Sequence, residues 1–170
     1  AQIIIIGNAG HPEVVGIMGW SSTPAVVIEN EEEAESYSGD PEKPVCIVSQ
    51  TTFNVIKFNE LVAILKSRLY NVNVVNTICN ATRERQEEAR SIASDADVMI
   101  VIGGKTSSNS AKLYEICGKE CANTFFIQTV DDLHLNLSGK EKVIGITAGA
   151  STPKNIIEEV QNYVRTGREF

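Results

Sequence analysis

The residues most able to do chemistry stand just after short β-branched runs. His11-Pro12-Glu13 follows Ile3–Ile6 and puts an imidazole and a carboxylate within one turn, beside glycines that let another group approach the backbone closely. Such a pair can pass a proton to or from a bound molecule. The plainer reading is a surface histidine and a first-turn glutamate that favours the helix dipole. Gly103-Gly104-Lys105-Thr106-Ser107-Ser108-Asn109 and Thr147-Ala148-Gly149-Ala150-Ser151-Thr152 each run straight into a helical pattern. A glycine- and hydroxyl-rich turn at a helix N-terminus offers N–H groups, a favourable dipole and hydroxyl donors, which together suit an oxyanion or phosphate. Two of them suggest a diphosphate. Gly104-Lys105-Thr106 is not a nucleotide P-loop, because Met99 occupies the place of its first glycine. The competing reading is that Ser107, Ser108, Ser151 and Thr152 only cap helices.

Of the four cysteines, Cys46 lies inside a strand pattern, and Cys117 and Cys121 share one face of an expected helix with no histidine or acidic cluster to complete a metal set. These three read as small core hydrophobes. Cys79 differs, because it follows a β-branched run and precedes Asn80 at a strand end, so its role stays open. Gln50-Thr51-Thr52 forms another polar strand end. His134 stands in a polar connector and reads as solvated. Glu29, Glu31, Glu32, Glu33 and Glu35 read as a solvated helix start rather than a cation site.

The elements that must position these groups alternate strand and helix, which points to an α/β fold of mostly parallel sheets flanked by helices. Strands are expected at Ile3–Ile6, Ala25–Ile28, Val45–Ser49, Val72–Thr77, Val98–Ile102, Thr124–Ile127 and Lys142–Ile146. Phe58, Leu61, Val62, Leu65 and Leu69 recur at the spacing of one buried helix face. Further helices are expected at Ala81–Ser94, Ser108–Glu120 and Pro153–Arg165, the last with Thr152 as N-cap, Pro153 in its first position and Ile156, Ile157, Val160 and Val164 as its stripe. Two small similar domains, 1–75 and 76–170, account for this pattern.

The 170 residues are 42% hydrophobic and 22% charged, a composition of globular rather than disordered chains. The longest aliphatic run falls far short of the roughly 20 residues a membrane span needs. A net charge of −7 opposes non-specific attraction to nucleic acid or anionic lipid. The cysteine pattern makes no disulfide framework, so reduced thiols in the cytoplasm are the expectation. The abrupt start on Ala1, directly before a strand and without a preceding helix, reads as a fragment.

Taken together, Gly10-His11-Pro12-Glu13-Val14, Gln50-Thr51-Thr52, Thr77-Ile78-Cys79-Asn80-Ala81-Thr82 followed by Arg85-Gln86, Gly103-Gly104 with Ser107-Ser108-Asn109, and the stretch from Gly145 to Pro153 closely resemble the LytB/IspH family of 4-hydroxy-3-methylbut-2-enyl diphosphate reductases. The motifs keep the family's order and cover nearly the whole chain. The resemblance implies a trefoil of three similar α/β domains around an iron–sulfur cluster (4Fe-4S). Within it, 1–75 corresponds to the second domain, lacking its first helix, and 76–170 to the third. It implies reductive removal of the substrate's allylic hydroxyl in non-mevalonate isoprenoid biosynthesis, giving isopentenyl and dimethylallyl diphosphate, with ferredoxin or flavodoxin as electron donor. On the same basis Cys79 resembles the last of three cluster cysteines, one from each domain. His11 resembles the histidine that contacts substrate, Glu13 the carboxylate that relays protons to the departing hydroxyl, and Thr51 the threonine near that hydroxyl. Ser107, Ser108, Asn109 and Ser151 resemble the diphosphate cradle.

The departures are as informative. The family's N-terminal domain, with two of its cluster cysteines and further substrate histidines, has no counterpart in these residues, and one thiolate cannot hold a four-iron cluster. The fragment is therefore expected to lack the cluster, to bind diphosphate weakly and to be inactive alone. Its exposed face, apolar or glycine-rich where the missing domain would pack, is expected to allow dimerisation. Asn8, Ile17 and Ser110 stand where His, Thr and Thr are more usual. The alternative is a short, non-catalytic diphosphate-binding or interaction module derived from the enzyme.

Overall fold

The computed structural model describes residues 1–133 and 143–166. His134 and Lys142 lie outside them. The chain divides into two compact units, Ala1–Arg83 and Glu84–Phe170, each built on its own parallel sheet. The division falls beyond the expected residue 75, because Val75, Thr77 and Cys79 all bond to the third strand of the first unit or to the loop after it.

In the first unit the elements run β1 (Gln2–Ile6), α1 (Pro12–Trp20), β2 (Ala25–Ile28), α2 (Glu31–Ser36), β3 (Val45–Ser49), α3 (Val55–Arg68) and β4 (Val72–Val74). Strand order is β2-β1-β3-β4, all parallel. Parallel strands need crossover helices and hide their faces, which explains why β1 is an unbroken aliphatic run with Ile4, Ile5 and Ile6 fully buried. The stripe of α3 buries Phe58, Leu61 and Leu65 against Ile4, Ile6, Val45 and Ile47, as the spacing predicts. Asn54 caps that helix by accepting from the N–H groups of Ile56 and Lys57. The acidic run is the start of α2, capped by Asn30.

Helix α1 carries no amphipathic period and is absent from the helices the sequence predicts. Only Val14 of it is buried, while Val15, Met18 and Trp20 are exposed and Gly16 and Gly19 face open space. Its signals are local ones: His11 as N-cap and Pro12 at the first position. Strand β4 stops at Val74, short of the expected Thr77. After Val75 donates to the carbonyl of Ile47 the backbone ladder ends, and the Thr77 hydroxyl takes over the pairing with Ser49.

Helix α4 (Asn80–Asp95) starts in the first unit and runs into the second, which continues with β5 (Val98–Ile102), α5 (Ser108–Glu120), β6 (Thr124–Ile127), β7 (Ile144–Ala148) and α6 (Lys154–Thr166). The order β6-β5-β7 makes β5 central, and all five of its residues are buried. Strand β7 begins and ends two residues later than the sequence predicts, since its pairing with β5 extends to Ile102 opposite Ala148. Helix α6 begins at Lys154, with Ile157 donating to the carbonyl of Pro153. The expected cap residue Thr152 instead donates its hydroxyl to the carbonyl of Ile102, tying the loop to β5. The stripe of α6 packs as expected, with Val160 buried and Ile156, Ile157 and Val164 beside it.

Candidate functional site

In parallel α/β sheets the functional groups gather beyond the carboxyl ends of the strands, and both units follow that rule. In the first unit, the loop after β1 and the loop after β3 are laced together. One carboxylate oxygen of Glu13 accepts from the backbone N–H of Thr51 at 2.8 Å, and the other accepts from the Thr51 hydroxyl at 3.0 Å. His11 caps α1 through Nδ1, which accepts from the N–H of Glu13 at 3.2 Å. With Nδ1 an acceptor, the neutral imidazole carries its proton on Nε2 and can donate it to a bound oxygen. The structure therefore brings His11, Glu13 and Thr51 together.

The supports of this group include residues to which the sequence assigned no supporting role. Gln50, fully buried, accepts from the N–H of Asn8 at 3.1 Å and donates to the Thr52 hydroxyl at 2.9 Å, bridging the two loops. A side chain on Gly7 would stand 2.9 Å from the Gln50 Cβ, so glycine is required at that approach. Glu29, read from the sequence only as part of a solvated run, accepts from the N–H of Ala9 at 2.7 Å and steadies the same loop. Nothing in its sequence context marks that contact, which depends on β2 lying beside β1.

Cys79 follows β4 and immediately precedes α4. Its thiol is exposed, its N–H donates to the carbonyl of Thr51 at 3.0 Å, and its carbonyl accepts the first helical bond from Arg83. The loop after β3 thus holds both the partner of Glu13 and the backbone of Cys79. Two of the remaining cysteines match the core reading. Cys117 and Cys121 are buried and aim their thiols at the carbonyls of Ala89 and Ala96. Burial, with Cys121 adding to it, pushes the Cys117 thiol up to about 11. Cys46 is half-buried in β3. Among the described residues no group of three or more His, Cys, Asp or Glu side chains could hold a metal ion.

In the second unit the site is shaped by close packing rather than by charge. Ser107 caps α5, accepting from the N–H and hydroxyl of Ser110. The Ser110 side chain, buried, fills the space that two glycines leave. A Cβ on Gly103 or on Gly149 would meet its Oγ at 2.2 Å. This brings the loop after β5 and the loop after β7 side by side, so Ser107, Ser108 and Asn109 share one strand-end region with the exposed Ser151. Both polar atoms of the Asn109 side chain are shut off from solvent without a hydrogen-bond partner among the described residues. Such an unsatisfied amide asks for a ligand or another explanation. Beside the second loop a cleft of about 340 Å³ is lined by Arg85, Glu88, Thr147, Gly149, Ala150 and Gln161, which places a cation and an acid next to it.

The family model described as LytB protein matches residues 1–165. A 4-hydroxy-3-methylbut-2-enyl diphosphate reductase of Clostridioides difficile is 45% identical over 163 residues, 96% of this chain and 58% of that protein. One from Caldanaerobacter subterraneus is 43% identical over 165 residues, 97% of this chain and 57% of its own length. Among solved structures, the E-1-hydroxy-2-methyl-but-2-enyl-4-diphosphate reductase of Plasmodium falciparum is 28% identical with a TM-score of 0.87, over 97% of this chain and 52% of that one. The chain spans a little over half the length of these two curated relatives.

Proposed function

The chain belongs to the LytB protein family, and from that membership we propose that it supplies two working parts of a 4-hydroxy-3-methylbut-2-enyl diphosphate reductase: the proton relay with one cluster thiolate, and the diphosphate cradle. The observation that carries this reading is the two-point hold of Thr51 on Glu13, made by the residues that resemble the family's relay. A hydroxyl both accepts and donates. When Glu13 carries a proton, its bond to Thr51 reverses, and the Thr51 O–H is released to donate to the departing hydroxyl of the substrate. His11, holding its proton on Nε2, orients that substrate by donation.

The residues fit one ligand position of an iron–sulfur cluster. Cys79 is exposed at the N-terminal end of α4, and its backbone is pinned to Thr51. When bound, the cluster would supply electrons and a Lewis-acidic iron at the leaving oxygen. Cys79 would hold one iron, and the other ligands would come from the part of the reductase outside these residues. Ferredoxin or flavodoxin would supply the electrons, in the cytoplasm, on this reading. The Asn109 amide, without a partner among the described residues, suits the oxygens of a diphosphate together with Ser107, Ser108 and Ser151.

The test is anaerobic reconstitution of the 170-residue chain and of the complete polypeptide that contains it. The complete polypeptide should take up four irons and convert the allylic diphosphate to isopentenyl and dimethylallyl diphosphate. The 170-residue chain should retain no stoichiometric cluster and turn over nothing. A complete polypeptide without cluster or turnover, yet binding diphosphate, would replace this proposal with a non-catalytic binding module.

A further inference from the structure

At the end of β3 the backbone of Ser49 meets a side chain where a fourth-strand backbone should continue. Ser49 is buried, and its N–H donates to the Thr77 hydroxyl at 2.8 Å, while that hydroxyl in turn donates to the Ser49 carbonyl. The Ser49 hydroxyl lies 3.2 Å from the Thr77 hydroxyl oxygen. One threonine side chain thus replaces both ladder bonds of a strand residue. The chain before it has already left the sheet, turned by the Asn76 side chain, which accepts from the N–H of Ile78 at 3.0 Å. Cys79 follows two residues later and donates to the carbonyl of Thr51.

We infer that Thr77 is a positioning residue whose hydroxyl fixes the depth of the Cys79 loop against the Thr51 loop, and so sets the thiol relative to the Glu13–Thr51 relay. This rests on the reading of Cys79 and Glu13 given above. The physical reason is that the β4 ladder no longer determines this register. Between Val75 and Cys79 only the Thr77 hydroxyl and the Cys79 N–H bond the segment to the β3 side among the hydrogen bonds described. Removing the hydroxyl would leave a buried N–H and carbonyl of Ser49 without their partner, and the local backbone would move to satisfy them. Thr51 carries Glu13 on its other side, so such a movement would disturb the thiol and the relay together.

The experiment compares Thr77→Val, which keeps the shape and loses the hydroxyl, with Thr77→Ser, which keeps the hydroxyl. In the 170-residue chain, amide hydrogen exchange at Cys79 and Ser49 should accelerate about tenfold or more in the valine variant, while Ile5 and Ile47 stay within about twofold and the serine variant matches the parent. In the complete polypeptide, the valine variant should keep its iron, show a changed electron paramagnetic resonance line shape for the reduced cluster, and lose about tenfold in kcat with KM within about twofold. Serine should restore both. Unchanged exchange at Cys79 in the valine variant would overturn the inference. Acceleration of all amides alike, unrescued by serine, would also overturn it, by making Thr77 a general stabiliser. If the unsubstituted complete polypeptide holds no cluster and has no turnover, the proposed function falls, and the exchange comparison alone then decides the role of Thr77.

Discussion

The strand-end loops of the two units solve different problems with different chemistry. Those of the first unit are cross-linked by side chains: Glu13 on Thr51, Gln50 on Asn8 and Thr52, Glu29 on Ala9, Thr77 on Ser49. Glu13 and Thr51 there already hold each other. Those of the second unit are joined by close contact, with two glycines clearing room for Ser110, and they leave the Asn109 amide unsatisfied. A proton must move along fixed geometry, which favours groups that hold one another. A ligand's oxygens need donors in a rigid cradle that are not spent on neighbouring side chains, which favours packing that leaves some donors over. Substitutions in the first unit should therefore lower kcat, and those in the second should raise KM.

Outside the Glu13–Thr51 relay, the largest effect should come from Cys79. In the complete polypeptide Cys79→Ser should lower turnover at least about a hundredfold and reduce the iron retained; iron analysis and the assay check it together, and full iron with full turnover would remove Cys79 from the cluster. Next, Asn109→Ala should raise KM about tenfold with kcat within about threefold. It should leave the thermal midpoint of the ligand-free protein unchanged or higher, because it deletes a polar group that has no partner to lose.

A smaller effect should follow from the packing. Gly149→Ala and Gly103→Ala should each destabilise the second unit by about 1–3 kcal/mol in urea unfolding. The double variants separate the causes. Ser110→Ala removes the Oγ that Gly149→Ala would strike, leaving its Cβ at an ordinary 3.4 Å, and should rescue that variant. It should not rescue Gly103→Ala, which would still meet the Ser110 Cβ at 2.6 Å.

The smallest effect concerns pH. The folded state raises the Cys117 thiol to about 11 from 9.0, so it holds its proton where the unfolded chain releases it. Stability from this group is intact below about 9 and declines as pH rises towards 11. The parent chain should lose thermal stability over that interval more steeply than Cys117→Ala. The same burial should protect Cys117 and Cys121 from iodoacetamide at neutral pH while the exposed Cys79 is alkylated.

The parallel strands and the long helices were readable because buried parallel strands must be continuously apolar and helices such as α3 and α6 bury one stripe. Ser108–Glu120 appears with the expected limits. Helix α1 was not readable from periodicity, since Val15, Met18 and Trp20 are apolar yet exposed. The ends of β4 and β7 shifted because side-chain and cross-strand bonds, invisible to a pattern, decide where a ladder stops. Among the site residues, His11, Glu13, Thr51 and Cys79 were legible as motif residues. Glu29, Gln50 and Thr77 owe their supporting roles to contacts between segments 20 or more residues apart, such as Ala9 with Glu29 and Ser49 with Thr77. Ser110 is another such support, known only once the two glycine loops are seen beside it.

The proposal that the first unit carries the proton relay is tested most directly by Glu13→Gln in the complete polypeptide, measured anaerobically with 4-hydroxy-3-methylbut-2-enyl diphosphate as substrate. Glutamine keeps the shape and an acceptor for Thr51 but cannot deliver the proton. The relay predicts a fall in kcat of about 10²–10⁴-fold with substrate affinity within about twofold. A kcat unchanged by the substitution, or a loss confined to substrate binding, would contradict it.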